Sequence, residues 1–366
     1  MALKRSAQLC ILITTIFLGA IGIIFIYSAS SYSAKLEYND SFFFVKKQAI
    51  AFAAGIILMI FAAKIKLSLL IKYKWIIYIL SIILLALLLI PNVGKESYGA
   101  TRWIDLGFIS LQPSEIAKFG LMIFLAGYMY ENPPENLKKM IIPIISGLVI
   151  CLLIILEPNM SITMCVGLSV ILLVFIAGAP KKWFVLLIIL VAVAVPVLII
   201  IEPYRVKRIL AFLDPWQNPK AEGYQLIQSY YALGNGGLFG VGLFQSRQKY
   251  LFLPFAESDF IFSVIGEETG LIGCLLVIIA FALLIYNGIK VAICANNFYC
   301  TLLATGLTAV IALQTIINIA VVTGSIPPTG VPLPYVSAGG TSLVCFMFVS
   351  GLLYNIASVT NKGKLP

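Results

Sequence analysis

The stretch DFIFSVIGEETGLIGCLLVIIAFALLIY, residues 259–286, decides the fold class of this chain. A helix needs about 20 mainly apolar residues to cross a bilayer, and this stretch supplies them. Its three acidic residues, Asp259, Glu267 and Glu268, all lie near its beginning. Acidic side chains inside a span are unfavourable unless they face a partner or a water-filled cavity. The stretch therefore predicts a transmembrane helix that begins beside a polar site.

Comparable apolar stretches recur along the whole chain. Of the 366 residues, 61% are hydrophobic and only 11% are charged, whereas a soluble protein carries about 25% charged residues. We therefore predict a single all-α polytopic membrane domain over residues 1–366, with about ten transmembrane helices. A large extracytoplasmic loop, about 202–258, is expected between spans 7 and 8. The predicted spans are 8–27, 44–63, 71–90, 115–130, 140–156, 160–178, 183–201, 259–286, 299–323 and 338–357.

The basic residues predict the orientation of the spans. Lys and Arg accumulate on the short connections that lie inside if the N-terminus is cytoplasmic, as the positive-inside rule requires. Ten spans then return the C-terminus to the cytoplasm. The same distribution accounts for the net charge of +10, so we expect no nucleic-acid partner. Acidic residues concentrate on the outer side, where either a site or the anionic inner leaflet would explain the asymmetry.

The chemistry available to the chain is limited by two residue types. Histidine is absent, which removes the usual proton shuttle near neutral pH. Any acid–base step must use a carboxylate, Lys or Tyr. The seven cysteines fall in predicted spans or at an inner connection, so we predict neither a disulfide framework nor a metal cluster.

Three connections on the expected outer side, 94–118, 202–258 and 324–342, are rich in Gly, Pro and polar residues. In the first, Glu115 suits the start of a helix, where the dipole favours an acid. Lys118 follows three residues later and can face it. At that depth a Lys needs a partner or water.

The connection 202–258 contains two predicted features. Arg205, Lys207 and Arg208 interleave with apolar residues, which indicates a short amphipathic helix at the membrane surface. These cations would suit either a lipid diphosphate or ordinary anionic headgroups. The glycine-rich stretch 223–243 could dip into the bilayer if protein or a wet cavity satisfies its backbone.

The acids of the 259–286 stretch have open alternatives. Asp259 is either the N-cap of the helix or a general base whose pKa burial raises toward neutrality. Glu267 and Glu268 lie about 12 Å deeper along the helix. They could form a proton relay, line a substrate cavity or be a buried structural pair, with Lys118 as a plausible partner for one of them.

Six long motifs occur in order along most of the chain. They are GATRWIDLG at 99–107, QPSEIAK at 112–118, DPWQNPKAEGYQLIQSYYALGNGGLFGVGL at 214–243, SRQKYLFLP at 246–254, SDFIFSVIGEETGLIG at 258–273 and TGVPLPYVSAGGTSL at 329–343. Together these motifs resemble the SEDS family of shape, elongation, division and sporulation proteins. The SRQK segment brings the chain nearer to the FtsW and SpoVE branches than to RodA.

The resemblance implies a peptidoglycan glycosyltransferase of the bacterial cytoplasmic membrane. Such a protein polymerises lipid II on the outer face and releases undecaprenyl diphosphate. It works with a class B penicillin-binding protein, among membrane lipids and other division or sporulation proteins. A lipid II flippase and a non-catalytic scaffold of the division or sporulation complex are the rival functions.

The resemblance also implies site residues. The essential acid of the family matches Asp259, which would act as the catalytic base. A divalent cation, Mg²⁺ or Mn²⁺, or basic residues would neutralise the leaving diphosphate. Two positions depart from the family pattern: Asn159 replaces an Asp, and Ala338 interrupts the last motif. Substrate contacts are expected from Arg102, Glu115, Lys118, Arg205, Arg208, Arg247, Lys249, Ser337, Gly339 and Gly340.

Overall fold

The computed structural model describes residues 2–91, 94–97, 100–105, 107 and 110–362. The helices are α1 (Ala2–Tyr38), α2 (Phe43–Ala62), α3 (Leu67–Lys72), α4 (Lys74–Leu87), α5 (Pro113–Glu131), α6 (Leu137–Leu156), α7 (Met160–Ile176), α8 (Lys181–Ile201), α9 (Pro203–Leu213), α10 (Tyr224–Gly236), α11 (Ile261–Cys294), α12 (Phe298–Val322) and α13 (Gly340–Lys362). Each of the ten predicted apolar segments coincides with one of these helices. The three further helices are α3, α9 and α10.

Among the described residues, seven helices are long and apolar enough to cross a membrane: α1, α2, α6, α8, α11, α12 and α13. Helices α4 and α7 are shorter but apolar. Helix α5 has 19 residues and carries Glu115, Lys118 and Glu131. Large apolar side chains such as Ile200 and Ile293 are exposed on the helix surfaces, where lipid can cover them. The chain is a multi-pass membrane protein, as predicted.

The chain is mainly helical, as predicted, and it also contains one small sheet. A small antiparallel sheet, in the order β1–β2–β3, precedes α5. Its strands are β1 (Gly94–Ser97), β2 (Ala100–Asp105) and β3 (Ser110–Leu111). The sequence of β2 contains Thr, Trp and Ile, which suit a half-buried strand. Of the GATRWIDLG motif, residues 99 and 106 lie outside the described residues.

The segment 202–258 is structured, so its description as a large loop needs correction. It begins with α9, which confirms the predicted helix, and continues with α10. Helix α11 bends at Gly270, whose φ is 66°. The chain after α10 pairs with this bend: Val241 N–H donates to the Glu267 carbonyl and Leu271 N–H to the Gly237 carbonyl, both at 2.9 Å. Backbone groups of α11 thus form hydrogen bonds with backbone groups of the glycine-rich stretch 223–243.

Helices α5 and α12 lie in the centre of the bundle, because nearly every side chain of α5 and most of those of α12 are buried. Helix α8 is peripheral and contacts mainly α7 and α9. The ends of α7, α11 and α12, together with α9, β2 and the segment before α13, surround Asp259. This end of the bundle is hereafter the Asp259 end.

Candidate functional site around Asp259

Asp259 lies just outside α11, not at its cap. The helix begins at Ile261 and its N-cap residue is Phe260, which makes no side-chain cap hydrogen bond. The N-cap alternative is therefore wrong. Asp259 is half-buried, and its backbone carbonyl accepts a hydrogen bond of 2.8 Å from Asn318 Nδ2 on α12. Asn318 thus fixes the main chain of Asp259 and does not occupy its carboxylate.

The carboxylate of Asp259 is subject to opposing influences. Burial raises its pKa to about 6, although the guanidinium groups of Arg208 and Arg102 and the Ser258 side chain lower it. At neutral pH the group is mainly ionised. A carboxylate whose pKa lies this close to the working pH is a more effective general base than a fully solvated one.

The segment 328–333, which we call the Asp259-facing segment, is held by side chains from several helices. Most of its carbonyl oxygens accept a hydrogen bond from a separate residue, so its backbone is closely specified. The bonds are Arg208 Nη1 to Pro328 O at 3.2 Å, Ser161 Oγ to Thr329 O, Asn318 Nδ2 to Val331 O at 2.7 Å and Gln314 Nε2 to Pro332 O at 3.0 Å.

Gly330 is the point at which this segment meets the carboxylate. Its φ is 71°, a left-handed conformation that favours glycine. A Cβ atom added here would lie 3.2 Å from Asp259 Oδ2. Glycine therefore allows the backbone to approach Asp259 Oδ2 without a side chain between them.

Ser337 and Gly339 act on the backbone beside Asp259. The Ser337 hydroxyl donates to the Ser258 carbonyl at 2.6 Å and accepts from Leu333 N–H at 2.7 Å. On α2, buried Gln48 donates to the Ser337 carbonyl at 3.2 Å and accepts from Gly339 N–H at 3.1 Å. Ser337 thus joins the segment before α13 to the segment before α11, and Gly339 joins it to α2. Gly340 begins α13.

Arg102 and Arg208 are the two predicted cations that act on Asp259. From β2, Arg102 Nε donates to the Glu157 carbonyl at 3.2 Å, and its guanidinium also donates to the Pro158 carbonyl. The guanidinium of Arg208 on α9 lies 4.7 Å from the centre of the Tyr204 ring. Both cations lower the pKa of Asp259, which leaves positive potential beside the carboxylate.

Glu115 and Lys118 form a buried pair inside the bundle. Lys118 Nζ lies 2.8 Å from Glu115 Oε2 and donates to Gln314 Oε1 at 2.6 Å. Both charged side chains are 0% exposed. Gln314 in turn donates to the Pro332 carbonyl. The buried pair therefore helps to position the Asp259-facing segment through Gln314. The expectation that Lys118 pairs with Glu267 or Glu268 is wrong.

Glu267 and Glu268 bind backbone and hydroxyl donors. Glu267 accepts from the Ser246 hydroxyl, from Arg247 N–H at 3.1 Å and from Gln248 N–H at 3.4 Å. Glu268 Oε1 accepts from the Ser28 hydroxyl and from Ser246 N–H at 3.1 Å. Of the three alternatives, these contacts favour the buried structural pair, which anchors the SRQ motif to α11.

The remaining predicted cations are not among the groups that shift the pKa of Asp259. Lys249 is buried and donates to the Phe244 carbonyl. The Arg247 side chain is exposed, and Arg205 is half-buried on α9. Within the described ranges there is no group of three or more His, Cys, Asp or Glu side chains that could hold a metal. A divalent cation therefore stays a prediction.

Sequence reasoning missed several buried polar residues that build the site. Gln314 and Asn318 were detectable, because they lie one turn apart in an otherwise apolar span, where polar side chains usually have a partner. Gln48 and Ser161 gave no such signal, since each lies near the end of a span. Their contacts are with backbone carbonyls and amides that carry no sequence pattern.

Comparisons with known proteins agree along nearly the whole chain. The family model described as "Cell cycle protein", which covers FtsW, RodA and SpoVE, matches residues 8–362. Stage V sporulation protein E of Bacillus subtilis is 39% identical over 358 residues, covering 97% of this chain and 98% of the relative. The probable peptidoglycan glycosyltransferase FtsW of Geobacter metallireducens is 37% identical over 355 residues, covering 96% and 94%.

Solved structures share the fold. One is from a peptidoglycan synthase complex that coordinates polymerization and crosslinking, with a TM-score of 0.80, 26% identity, and coverage of 96% of this chain and 97% of the other. RodA of Thermus thermophilus has a TM-score of 0.69 and 23% identity, with 97% of each chain covered. The chain therefore belongs to the FtsW, RodA and SpoVE family of cell cycle proteins.

Proposed function

We propose that this chain is a peptidoglycan glycosyltransferase that polymerises lipid II, with Asp259 as its general base. The observation that carries the proposal is the half-buried Asp259 carboxylate, with a pKa of about 6, beside Arg102 and Arg208. An ionised carboxylate next to two guanidinium groups suits a reaction in which a proton is removed and an anionic leaving group is released. The relatives named peptidoglycan glycosyltransferases support the same reaction class.

In this mechanism the 4-hydroxyl oxygen of the acceptor sugar attacks the anomeric carbon of the growing chain. Its proton passes to Asp259 as the new carbon–oxygen bond forms. The bond from the anomeric carbon to the lipid diphosphate breaks, and the diphosphate leaves with the electron pair. Arg102 and Arg208 offset its negative charge, because guanidinium groups match phosphate oxygens in a bidentate manner.

The expected topology suits this substrate. Both termini would face the cytoplasm, which places the Asp259 end on the outer side of the bacterial cytoplasmic membrane. The amphipathic helix α9 would then hold Arg208 near the headgroups, where the diphosphate of a lipid-anchored sugar lies. The solved peptidoglycan synthase complex supports a class B penicillin-binding protein as partner.

The direct test is conversion of lipid II into glycan strands by the purified chain with its penicillin-binding partner. We expect polymer and release of undecaprenyl diphosphate. Absence of polymer, together with lipid II scrambling in vesicles, would favour the flippase instead. The same assay with a chelator tests the cation: loss of product that Mg²⁺ or Mn²⁺ restores would show a metal requirement, whereas full activity would leave charge neutralisation to Arg102 and Arg208.

A non-catalytic scaffold is the remaining rival, and the position of Asp259 weighs against it. Among the described residues, the Asp259 carboxylate does not cap α11, and the two cations beside it, Arg102 and Arg208, suit an anionic leaving group as well as they suit the acid. If the chain is a scaffold, complex assembly should survive Asp259→Ala and no polymer should form even with the wild-type chain.

A further inference from the structure

Glu157, in the connection between α6 and α7, is a buried carboxyl that the proposed mechanism does not use. Its side chain is 1% exposed. Within the described part of the chain, neither of its carboxyl oxygens has a hydrogen-bond partner. A buried polar group without partners costs about 1–3 kcal/mol, and native proteins contain few of them. An acid in this state needs an explanation.

The connection that carries Glu157 lies against the Asp259 site. The Arg102 guanidinium binds the backbone carbonyls of Glu157 and Pro158, not the Glu157 carboxyl, and also acts on Asp259. Ser161, in the first turn of α7, donates to the Thr329 carbonyl. The connection that carries Glu157 is therefore linked to the surroundings of Asp259 in two ways, through Arg102 and through the hydrogen bond between Ser161 and Thr329.

Thr329 provides a second unused group in the same region. Its hydroxyl is buried and has no partner among the described residues. The next residue, Gly330, is the one whose backbone approaches Asp259 Oδ2. Two orphan polar groups, one from the α6–α7 connection and one from the Asp259-facing segment, thus lie on elements that touch each other beside the reactive acid.

The charge state of Glu157 restricts what it could bind. Burial raises its pKa to about 8, against the lowering influence of Arg102. At neutral pH the group is mainly protonated, so it can both donate and accept a hydrogen bond, as a threonine hydroxyl can. This pair of groups suits an uncharged hydroxyl or amide and does not suit an anion.

We propose that Glu157 and Thr329 form a recognition site for an uncharged hydroxyl or acetamido group of the sugar held beside Asp259, an inference that rests on the function proposed above. Glu157 is buried, so the proposal requires a rearrangement at the contact between Ser161 and Thr329 to bring the sugar group to it. The departure from the family pattern at Asn159 is consistent with this arrangement. Asn159 caps α7 by accepting from Ile162 N–H at 3.3 Å, so the acid of this connection is Glu157 alone.

Paired substitutions separate recognition by a neutral acid from the alternatives. Glu157→Gln keeps a neutral donor and acceptor, whereas Glu157→Met removes both and fills a similar volume. For polymerisation of lipid II we expect kcat/KM within about 3-fold of wild type for the Gln variant and about 10-fold lower for the Met variant, mainly through KM. Glu135→Gln, at an exposed carboxylate on the opposite end of the bundle, should change nothing.

The pH profile supplies a readout that a merely structural role would not move. Wild-type activity should fall above a pH of about 8, as Glu157 ionises beside Arg102, and Glu157→Gln should lose this alkaline fall. A Gln variant as impaired as the Met variant would show that an ionised carboxylate paired with Arg102 is required. Full activity of the Met variant would show that Glu157 contacts no substrate. Either result overturns the proposal.

Two controls keep the test decisive. If Glu157→Met does not fold, as judged by its thermal unfolding in detergent, Thr329→Val removes the other recognition group and should raise KM in the same way. Unchanged KM in that variant would overturn the proposal. The wild-type chain and Glu157→Met separate the two proposals. If the wild-type chain makes polymer and Glu157→Met is fully active, the recognition site alone fails. If the wild-type chain makes no polymer, the proposed function fails.

Discussion

Asp259 and Glu267 are acids of the same motif with opposite surroundings. Glu267, about two turns into α11, has both carboxylate oxygens occupied by the Ser246 hydroxyl and the backbone amides of residues 247 and 248. Asp259, just before α11, is fixed through its backbone carbonyl by Asn318, while its carboxylate is half-buried beside Arg102 and Arg208.

The difference distinguishes an acid that holds structure from one that is available for chemistry. A carboxylate that accepts hydrogen bonds on both oxygens from amides and a hydroxyl anchors those donors. A carboxylate that lies beside two cations and is fixed mainly through its main chain can still accept a substrate proton. Substitutions at the two acids should therefore affect different quantities.

The largest effect on stability is expected at Glu267. Glu267→Leu would leave several buried donors near 246–248 without an acceptor, so we expect a loss of about 3 kcal/mol or more in the free energy of unfolding. Thermal or denaturant unfolding in detergent measures this loss. Glu267→Gln, which retains one acceptor oxygen, should lose less. Equal stability of the Leu variant and wild type would contradict the structural role.

A smaller effect, on catalysis alone, is expected at the cations beside Asp259. Arg208→Ala removes charge next to the leaving diphosphate, so we expect kcat/KM for lipid II to fall about 100-fold. Lys220→Ala is the matched control, because its side chain is exposed and it is not among the cations that act on Asp259. It should retain activity within about 2-fold. Equal losses in the two variants would indicate that general surface charge, not the site, binds the substrate.

Gly330 tests how closely the backbone must approach the carboxylate. In Gly330→Ala the new methyl group would lie 3.2 Å from Asp259 Oδ2, and the φ of 71° would be strained. We expect activity to fall about 10-fold and stability to fall by about 1 kcal/mol. Gly234→Ala, where an added Cβ meets nothing within 4 Å, is the control and should leave both unchanged.

The mildest change is a shift of pH. Since Asp259 must be ionised to accept a proton, activity should decline as pH falls below about 6. Arg208 lowers the pKa of Asp259, so Arg208→Ala should move this acidic limb to higher pH. If activity declined at the same pH in the variant as in the wild type, Arg208 would have no influence on the pKa of Asp259.

The sequence predicted the helices better than their contacts. Long apolar runs specify membrane helices because lipid excludes unpaired backbone, and all ten such runs coincide with helices. The short sheet around Arg102 was missed, since a few residues carry little periodicity. Helix α10 (Tyr224–Gly236) was also missed, because its glycines and polar residues are typical of a connection between helices.

The sequence pointed to the carboxylate at the centre of the candidate site but not to the residues that support it. The family resemblance pointed to Asp259, and the basic pattern of α9 pointed to Arg208. The roles of Ser337 and Glu267 depend on acceptors and donors of the main chain, which are the same at every position of the sequence. The role of Lys118 depends on Gln314, which lies far away in the sequence. Only the folded chain brings Gln314 to the Pro332 carbonyl and 246–248 to α11.

The most direct test compares Asp259→Asn with Glu267→Gln in one set of measurements, using lipid II polymerisation and thermal unfolding of both purified variants. Asp259→Asn should lose about 10²–10⁴-fold in polymerisation while its unfolding temperature stays at the wild-type value. Glu267→Gln should unfold at a lower temperature and keep its activity per folded molecule. Wild-type polymerisation by Asp259→Asn would contradict the assignment of Asp259 as the general base.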